Sequence, residues 1–259
     1  MAKQLLFYDQ VVPVSKEKHG NLSVKTGDNY QFAKQANAIP ITLGEFAPAT
    51  QEYPLVFVEN QNSLMPVVVV GLQAEQNLYV NDNGEWQGKY IPAFVRRYPF
   101  VFALSDDEKT FTLCVDESFS GCNENGRGER LFDTEGEETQ YLKNVLNFLK
   151  NYQTQFQATE QFSQKLKDLE LLEQMQMRFD SGEDQPSSLS GFFAVNREKL
   201  QQLSGEQLAE LMQLGWLELT YLHLHSINNF SNVVERSKEA KTNSGTETST
   251  EQELATAQS

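Results

Sequence analysis

The chain is short of the residues that most often announce a chemistry. It holds two cysteines, Cys114 and Cys122, and three histidines, His19, His223 and His225, among 259 residues. Two cysteines cannot make a disulfide framework, so a stapled secreted scaffold is excluded. Basic residues are also scarce: 21 Lys and Arg stand against 36 Asp and Glu, a formal charge of −15. A surface that tracks a phosphate backbone needs clustered Lys and Arg, so nucleic acid is not a partner that this composition supports. No run of about 18 apolar residues is present, which excludes a membrane-spanning helix. The opening Met1-Ala2-Lys3-Gln4 leads straight into Leu5-Leu6-Phe7-Tyr8, too short an apolar stretch for a signal-peptide core. The expected setting is cytoplasmic. Also missing are Gly-x-Ser-x-Gly, His-Glu-x-x-His and a Rossmann glycine fingerprint, and Gly121–Gly128 lacks the Lys-Ser/Thr ending of a Walker loop. These residues call for no cofactor and no metal, and they spell out no reaction.

What is present is a core and a division. Hydrophobic residues make up 39% and aromatics 11%, enough to build a buried interior. Seven of the eight prolines fall at or before Pro99. Up to about Glu117, short apolar runs alternate with Pro, Gly and Asn, which is the pattern of β-structure. Ser118 to Arg130 is too polar to bury and reads as a loop. From Leu131 the spacing becomes helical. The expected fold is α+β: an N-terminal antiparallel, hairpin-rich sheet or partly open barrel, packed with a C-terminal helical region holding one more hairpin. The divisions are 1–130, 131–236 (hairpin near 174–195) and a tail, 237–259, with the first two forming one integrated domain. The tail offers only Leu254 as a large apolar side chain and is expected to lack fixed structure.

The β half contains an echo. Tyr53-Pro54-Leu55-Val56-Phe57 and Tyr98-Pro99-Phe100-Val101-Phe102 share one form, and each leads through a polar tip to a second apolar run. Two related hairpins follow, near 53–72 and 98–117. A match this short fits the recurring demands of hairpins better than a duplication. Between them, Asn83-Gly84 predicts a type I′ turn joining Leu78–Asp82 to Glu85–Gln87. Further strands are expected at Leu5–Tyr8, Leu22–Val24 and Ile39–Leu43. Leu142, Val145, Leu146, Leu149 and Phe156 mark a helix from about Thr139, whose pattern runs on, with room for a break, through Leu172. Gln174–Phe179 and Gly191–Val195 alternate like strands. Ser204 with Gln207 reads as a capping box that opens a helix, and Gly215 either ends that helix or weakens it.

Four residues stand out as ligand or partner contacts. Arg96-Arg97 is the chain's one Arg-Arg pair and can bind a carboxylate or phosphate; the plainer reading is a surface or interface ion pair. Arg97 in particular is expected to carry a bidentate contact that Lys cannot reproduce. Asp116-Glu117 ends an apolar strand, where a carboxylate pair can serve as acid and base or metal ligand. Adjacent strand residues face opposite ways, so loop capping is the plainer reading. His223 and His225 lie about 200° apart on a helix, poorly placed for one metal. Cys114 reads as an inert core residue. Cys122 is the better candidate for a reactive thiol, although no base stands near it in sequence.

Several short motifs recur in a fixed order: Tyr53-Pro-Leu-Val-Phe57, Arg96-Arg-Tyr-Pro-Phe100, Leu113-Cys-Val-Asp-Glu117 and Leu131-Phe-Asp-Thr-Glu-Gly136. Gly191-Phe-Phe-Ala-Val195 and the stretch Leu222–Asn229 follow. The ordered set resembles the SapC family of bacterial proteins, from about Val11 to Glu235. The resemblance implies an association with surface-layer loci, the source of the family's name. It also implies a place beside flavin-dependent halogenase-like proteins, cupin-type oxygenases and outer-membrane receptors. It brings no catalytic residue with it. The leading expectation is a non-enzymatic accessory protein with a protein partner. The alternatives are an enzyme with a polar site near Arg97 and Asp116, and a surface-layer component.

Overall fold

Proline placed just ahead of a strand removes no interior ladder bond. Both Tyr-Pro pairs introduce hairpins in the computed structural model, which describes residues 6–27, 29–60, 63–104, 110–179 and 187–242. After Pro54 come β4 (Leu55–Asn60) and β5 (Ser63–Val69); after Pro99 come β6 (Phe100–Leu104) and β7 (Phe111–Asp116). Residues 61–62 and 105–109, at the two tips, lie outside the described residues. The hairpins join different sheets. β3 (Ala38–Pro40) flanks β5, while the hairpin of β10 (Leu172–Phe179) and β11 (Ser187–Val195) flanks β4, giving the order β10-β11-β4-β5-β3. β1 (Val11–Pro13) completes a sheet β1-β7-β6, with Val11 opposite Asp116. A small third sheet places β2 (Ser23–Val24) between β8 (Cys122–Asn123) and β9 (Glu129–Arg130). These pairings are antiparallel and the sheets stay open, so the fold is α+β.

One helix spans the two larger sheets. α4 (Gln140–Asp168) starts at Thr139, whose side chain accepts the Leu142 N–H, and its 29 residues run about 43 Å at 1.5 Å per residue. Leu142 and Leu149, near its start, pack with Phe100 and Val115 of the β6–β7 hairpin. Phe162 and Leu166, near its end, pack with Leu55, Phe57 and Val68 of the β4–β5 hairpin. The opposite face of that hairpin, Val56, Val67 and Val69, meets Phe192 and Phe230. Covering on both faces explains why the chain reads Val67-Val68-Val69-Val70 there without alternation. Burying each such Leu or Phe contributes about 1.5–3 kcal/mol.

The remaining helices are short: α1 (Lys16–His19), α2 (Phe46–Ala49), α3 (Ala93–Arg96), α5 (Arg197–Gln201), α6 (Gly205–Gln213), α7 (Trp216–Ser226) and α8 (230–242). α6 opens with the Ser204/Gln207 capping box, and Gly215, at φ +72°, ends it. Among the described residues no helix is long and apolar enough to cross a membrane.

Several local expectations change. α4 has no break and does not reach Leu172. Glu170 takes a left-handed conformation (φ +54°) while the Leu171 N–H returns to the Leu166 carbonyl and the Glu170 N–H to Lys167, a Schellman ending that feeds β10. Leu6 and Phe7 form a turn, not a strand (Leu5 lies outside the described residues), because the Asp9 and Gln10 amides bond to the Asp116 carboxylate instead of a ladder. β3 stops at Pro40, since Thr42 and Glu45 form a capping box that turns the chain into a helix. The Asn83-Gly84 turn closes from the Gly84 N–H to the Asn81 carbonyl. Only Gly84 has positive φ there (+80°), so the loop is a type I turn ending in a glycine bulge, not type I′, and its arms share a single bridge, Val80 with Trp86. Of the expected tail, residues 237–242 are helical: α8 continues through residue 242 and buries Ser237, while 243–259 lie outside the described residues.

Candidate anion-binding site

α3 is a single turn, with the Arg96 N–H on the Pro92 carbonyl and the Arg97 N–H on Ala93. Successive residues on a helical turn diverge by about 100°, and the two arginines separate accordingly. Arg97 is buried. Its guanidinium lies 4.1 Å from the ring centroid of Phe94, 4.8 Å from Tyr152 and 5.7 Å from Tyr8. Cation–π contact of this kind is strongest when desolvated. Burial pushes the Tyr8 hydroxyl up to about 12, a rise the Arg97 charge only partly offsets.

Arg96 is exposed but held. Its Nε donates to the Ile91 carbonyl at 2.9 Å, and its guanidinium lies 5.3 Å from the Phe148 ring and 5.9 Å from Tyr90. Tyr90 is fixed in turn by donating to Glu45 Oε1 at 2.9 Å. Glu45, buried, also accepts from the Ala93 N–H and from the Thr42 N–H and hydroxyl. The carboxylate is therefore saturated by the fold. It organises α3 and the Arg96 platform without touching solvent chemistry.

Two clefts meet at Arg96 and Phe148. One, about 270 Å³, includes Arg96, Arg97, Asn144, Val145 and Leu149, and among the described residues none that lines it is acidic. The other, about 230 Å³, adds Glu45 and Tyr152. Tyr152 is buried and its hydroxyl meets no partner among the described residues. Burial raises its pKa, so it remains a proton donor. A larger groove of about 540 Å³ lies toward the far end of α4, lined by Glu160, Lys165, Asp168 and Glu210. Its size does not make it the better anion site, because Lys165 is already tied to Glu210 at 2.7 Å and the walls are net acidic. A fourth, about 210 Å³, also carries acids, Glu59 and Glu170.

Asp116 and Glu117 do not join the arginine cleft. Asp116 is fully buried and accepts from the Asp9, Gln10 and Ser118 amides (2.8–3.0 Å), from the Ser118 hydroxyl at 2.6 Å and from Tyr98 at 3.3 Å. Burial alone would raise its pKa, but these hydrogen bonds hold it below the ordinary carboxylate value. Glu117 points elsewhere and pairs with Lys18 at 2.7 Å and His19 at 3.1 Å. Cys122 is a poor nucleophile: burial, then the charges of Asp116 and Glu117, push its thiol up to about 11. His223 is structural. One ring nitrogen, Nδ1, donates to the Leu55 carbonyl at 3.0 Å, and Nε2 accepts the Val195 N–H at 3.0 Å, an assignment fixed by those partners. It thereby links β4 to β11 where their direct pairing is limited to Phe57 with Phe193. Burial pulls its pKa down to about 4.

Sequence reading singled out the arginine pair but missed Glu45, Tyr90, Phe148 and Tyr152. Glu45 had a signal, the Thr-x-x-Glu spacing from Thr42; the aromatic residues had none, since they come from distant segments. The family model for SapC matches residues 14–233, and the chain belongs to that family. No curated protein and no solved structure matches it.

Proposed function

We propose that this SapC-family chain is an accessory binding protein, cytoplasmic and non-catalytic, and that its Arg96 cleft receives an anionic group of a protein partner. The observation that carries the reading is the presence of both Arg96 and Arg97 in a cleft with no acidic lining residue among the described residues, inside a chain of charge −15. Arg96 supplies the contact. Its orientation is set in advance by the Ile91 carbonyl and two aromatic rings, so little side-chain freedom is lost on binding. Arg97 backs the site as a buried charge. On this reading the binding role belongs to Arg96, and Arg97, the residue favoured by sequence, supports it from below. Nearby carboxylates favour binding over acid–base chemistry, because Glu45 and Asp116 have their oxygens occupied by internal donors.

The test is affinity capture from the native cell with wild-type and Arg96→Lys bait. The variant should fold like wild type, since Arg96 is exposed, and should bind the captured partner about tenfold or more weakly, because Lys cannot form the planar fork. Undiminished binding by Arg96→Lys and Arg96→Gln would remove the arginine from the interface.

A further inference from the structure

We infer that the anionic group taken up by this cleft is the free C-terminal carboxylate of the partner chain, carried on an apolar last residue. The inference rests on the binding role proposed for Arg96. Size comes first. The cleft encloses about 270 Å³, just below the roughly 300–1,000 Å³ of sites that hold drug-sized molecules. That space suits one terminal residue better than a cofactor or an extended segment.

Chemistry narrows the choice further. Beside the guanidinium of Arg96 the cleft presents Val145, Phe148 and Leu149 from α4. A dianionic phosphate gains nothing from such a wall and is costly to desolvate against it. An internal Asp or Glu side chain brings a carboxylate to Arg96 but no apolar group beyond it for the Val145, Phe148 and Leu149 wall. A chain terminus has one backbone arm, a carboxylate matched to the Arg fork, and an apolar side chain for the α4 wall. Asn144 and Thr26, both exposed and lining the cleft, offer side-chain groups to the last peptide unit. Capture of a terminal carboxylate is a recurring mode of peptide recognition, with the Arg96 fork standing here where backbone amides serve elsewhere.

The experiment is a fluorescence-anisotropy titration of the full chain with a labelled peptide ending Ala-Ala-Phe, made as the free acid and as the C-terminal amide. The acid should bind, and the amide should bind about tenfold or more weakly. Arg96→Gln should erase the difference between them with an unchanged melting temperature, and Val145→Asp should weaken the acid. Acid and amide binding alike, or no binding of the acid by about 1 mM, overturns the inference. Hydrocinnamate serves as competitor: displacement at the concentration where the free-acid peptide itself competes would assign the site to small apolar acids and overturn the partner-chain source. Failure here is distinguishable from failure of the broader reading. If Arg96→Gln still loses the captured partner while acid and amide bind equally, anion docking stands and the C-terminal inference falls. If Arg96→Gln keeps the partner, the docking reading itself falls.

Discussion

In the first Tyr-Pro hairpin Leu55, Val56 and Phe57 are all buried; in the second, burial holds at Phe100 and Val101 and is lost by Ala103, with Phe111 45% exposed across from Leu104. The strands obey the same rules and begin with the same dipeptide. What differs is the neighbourhood. β4–β5 has a strand on each side and helices on both faces, whereas β6–β7 has β1 on one side and α4 against its base. The difference teaches that a hairpin's local grammar sets its existence, and that its neighbours set how much stability it contributes.

The sharpest way to break this comparison is to truncate one ring in each hairpin. Phe57 is fully buried against Phe162 and the His223 ring, and Phe57→Ala should cost about 3–5 kcal/mol. Phe111→Ala should cost about 0.5 kcal/mol or less. Urea denaturation of both variants gives the measurement, and similar losses would mean that the two environments are equivalent.

A smaller effect separates the hairpins by pH. His223 fastens β4 and is held neutral with its pKa near 4, against about 6.5 in the unfolded chain. As pH falls below the unfolded value, the unfolded chain takes up the proton first. The contribution is therefore complete above that value and is lost as pH drops toward the folded one, by about 2 kcal/mol between roughly pH 7 and pH 5. His223→Gln should remove this slope. The base of β7 responds later. Asp116 has a depressed pKa, so its contribution is present above the ordinary carboxylate value and is lost only as pH falls through the lower folded one. A stability curve flat over the histidine window would show that His223 does not discriminate between the states.

The smallest effect lies in the turn between the hairpins. Gly84 has φ +80°, and a Cβ there would stand 2.5 Å from Asn29 Oδ1. Gly84→Ala should cost about 1–2 kcal/mol, and Asn83→Ala less, because Asn83 does not need positive φ. Thermal melts would show comparable losses for the two variants if the turn were type I′, which needs positive φ at both residues.

Much of the local structure was legible. Thr139 and Ser204 start helices through side chains that bond amides three residues on, and Gly215 and Gly84 adopt the left-handed backbone that glycine tolerates. The alternation of Gln174–Phe179 became β10, and the ordered motifs pointed to the family. The site was legible only as an arginine pair. Which arginine turns inward could not be read, because Phe94 lies nearby in the chain but Tyr8 and Tyr152 come from far before and after it.

Sequence alone determined the elements whose deciding interactions span a few residues: caps, turns, the two Tyr-Pro hairpins and the apolar stripe of α4. Tertiary structure decided the rest. His223 became a backbone splice only because Leu55, 168 residues earlier, offers it a carbonyl. Asp116 became a clamp because the amides of Asp9 and Gln10 reach it across more than 100 residues. A polar side chain's role is set by its partner, and when that partner is distant, neither the spacing nor the residue type around it carries the information.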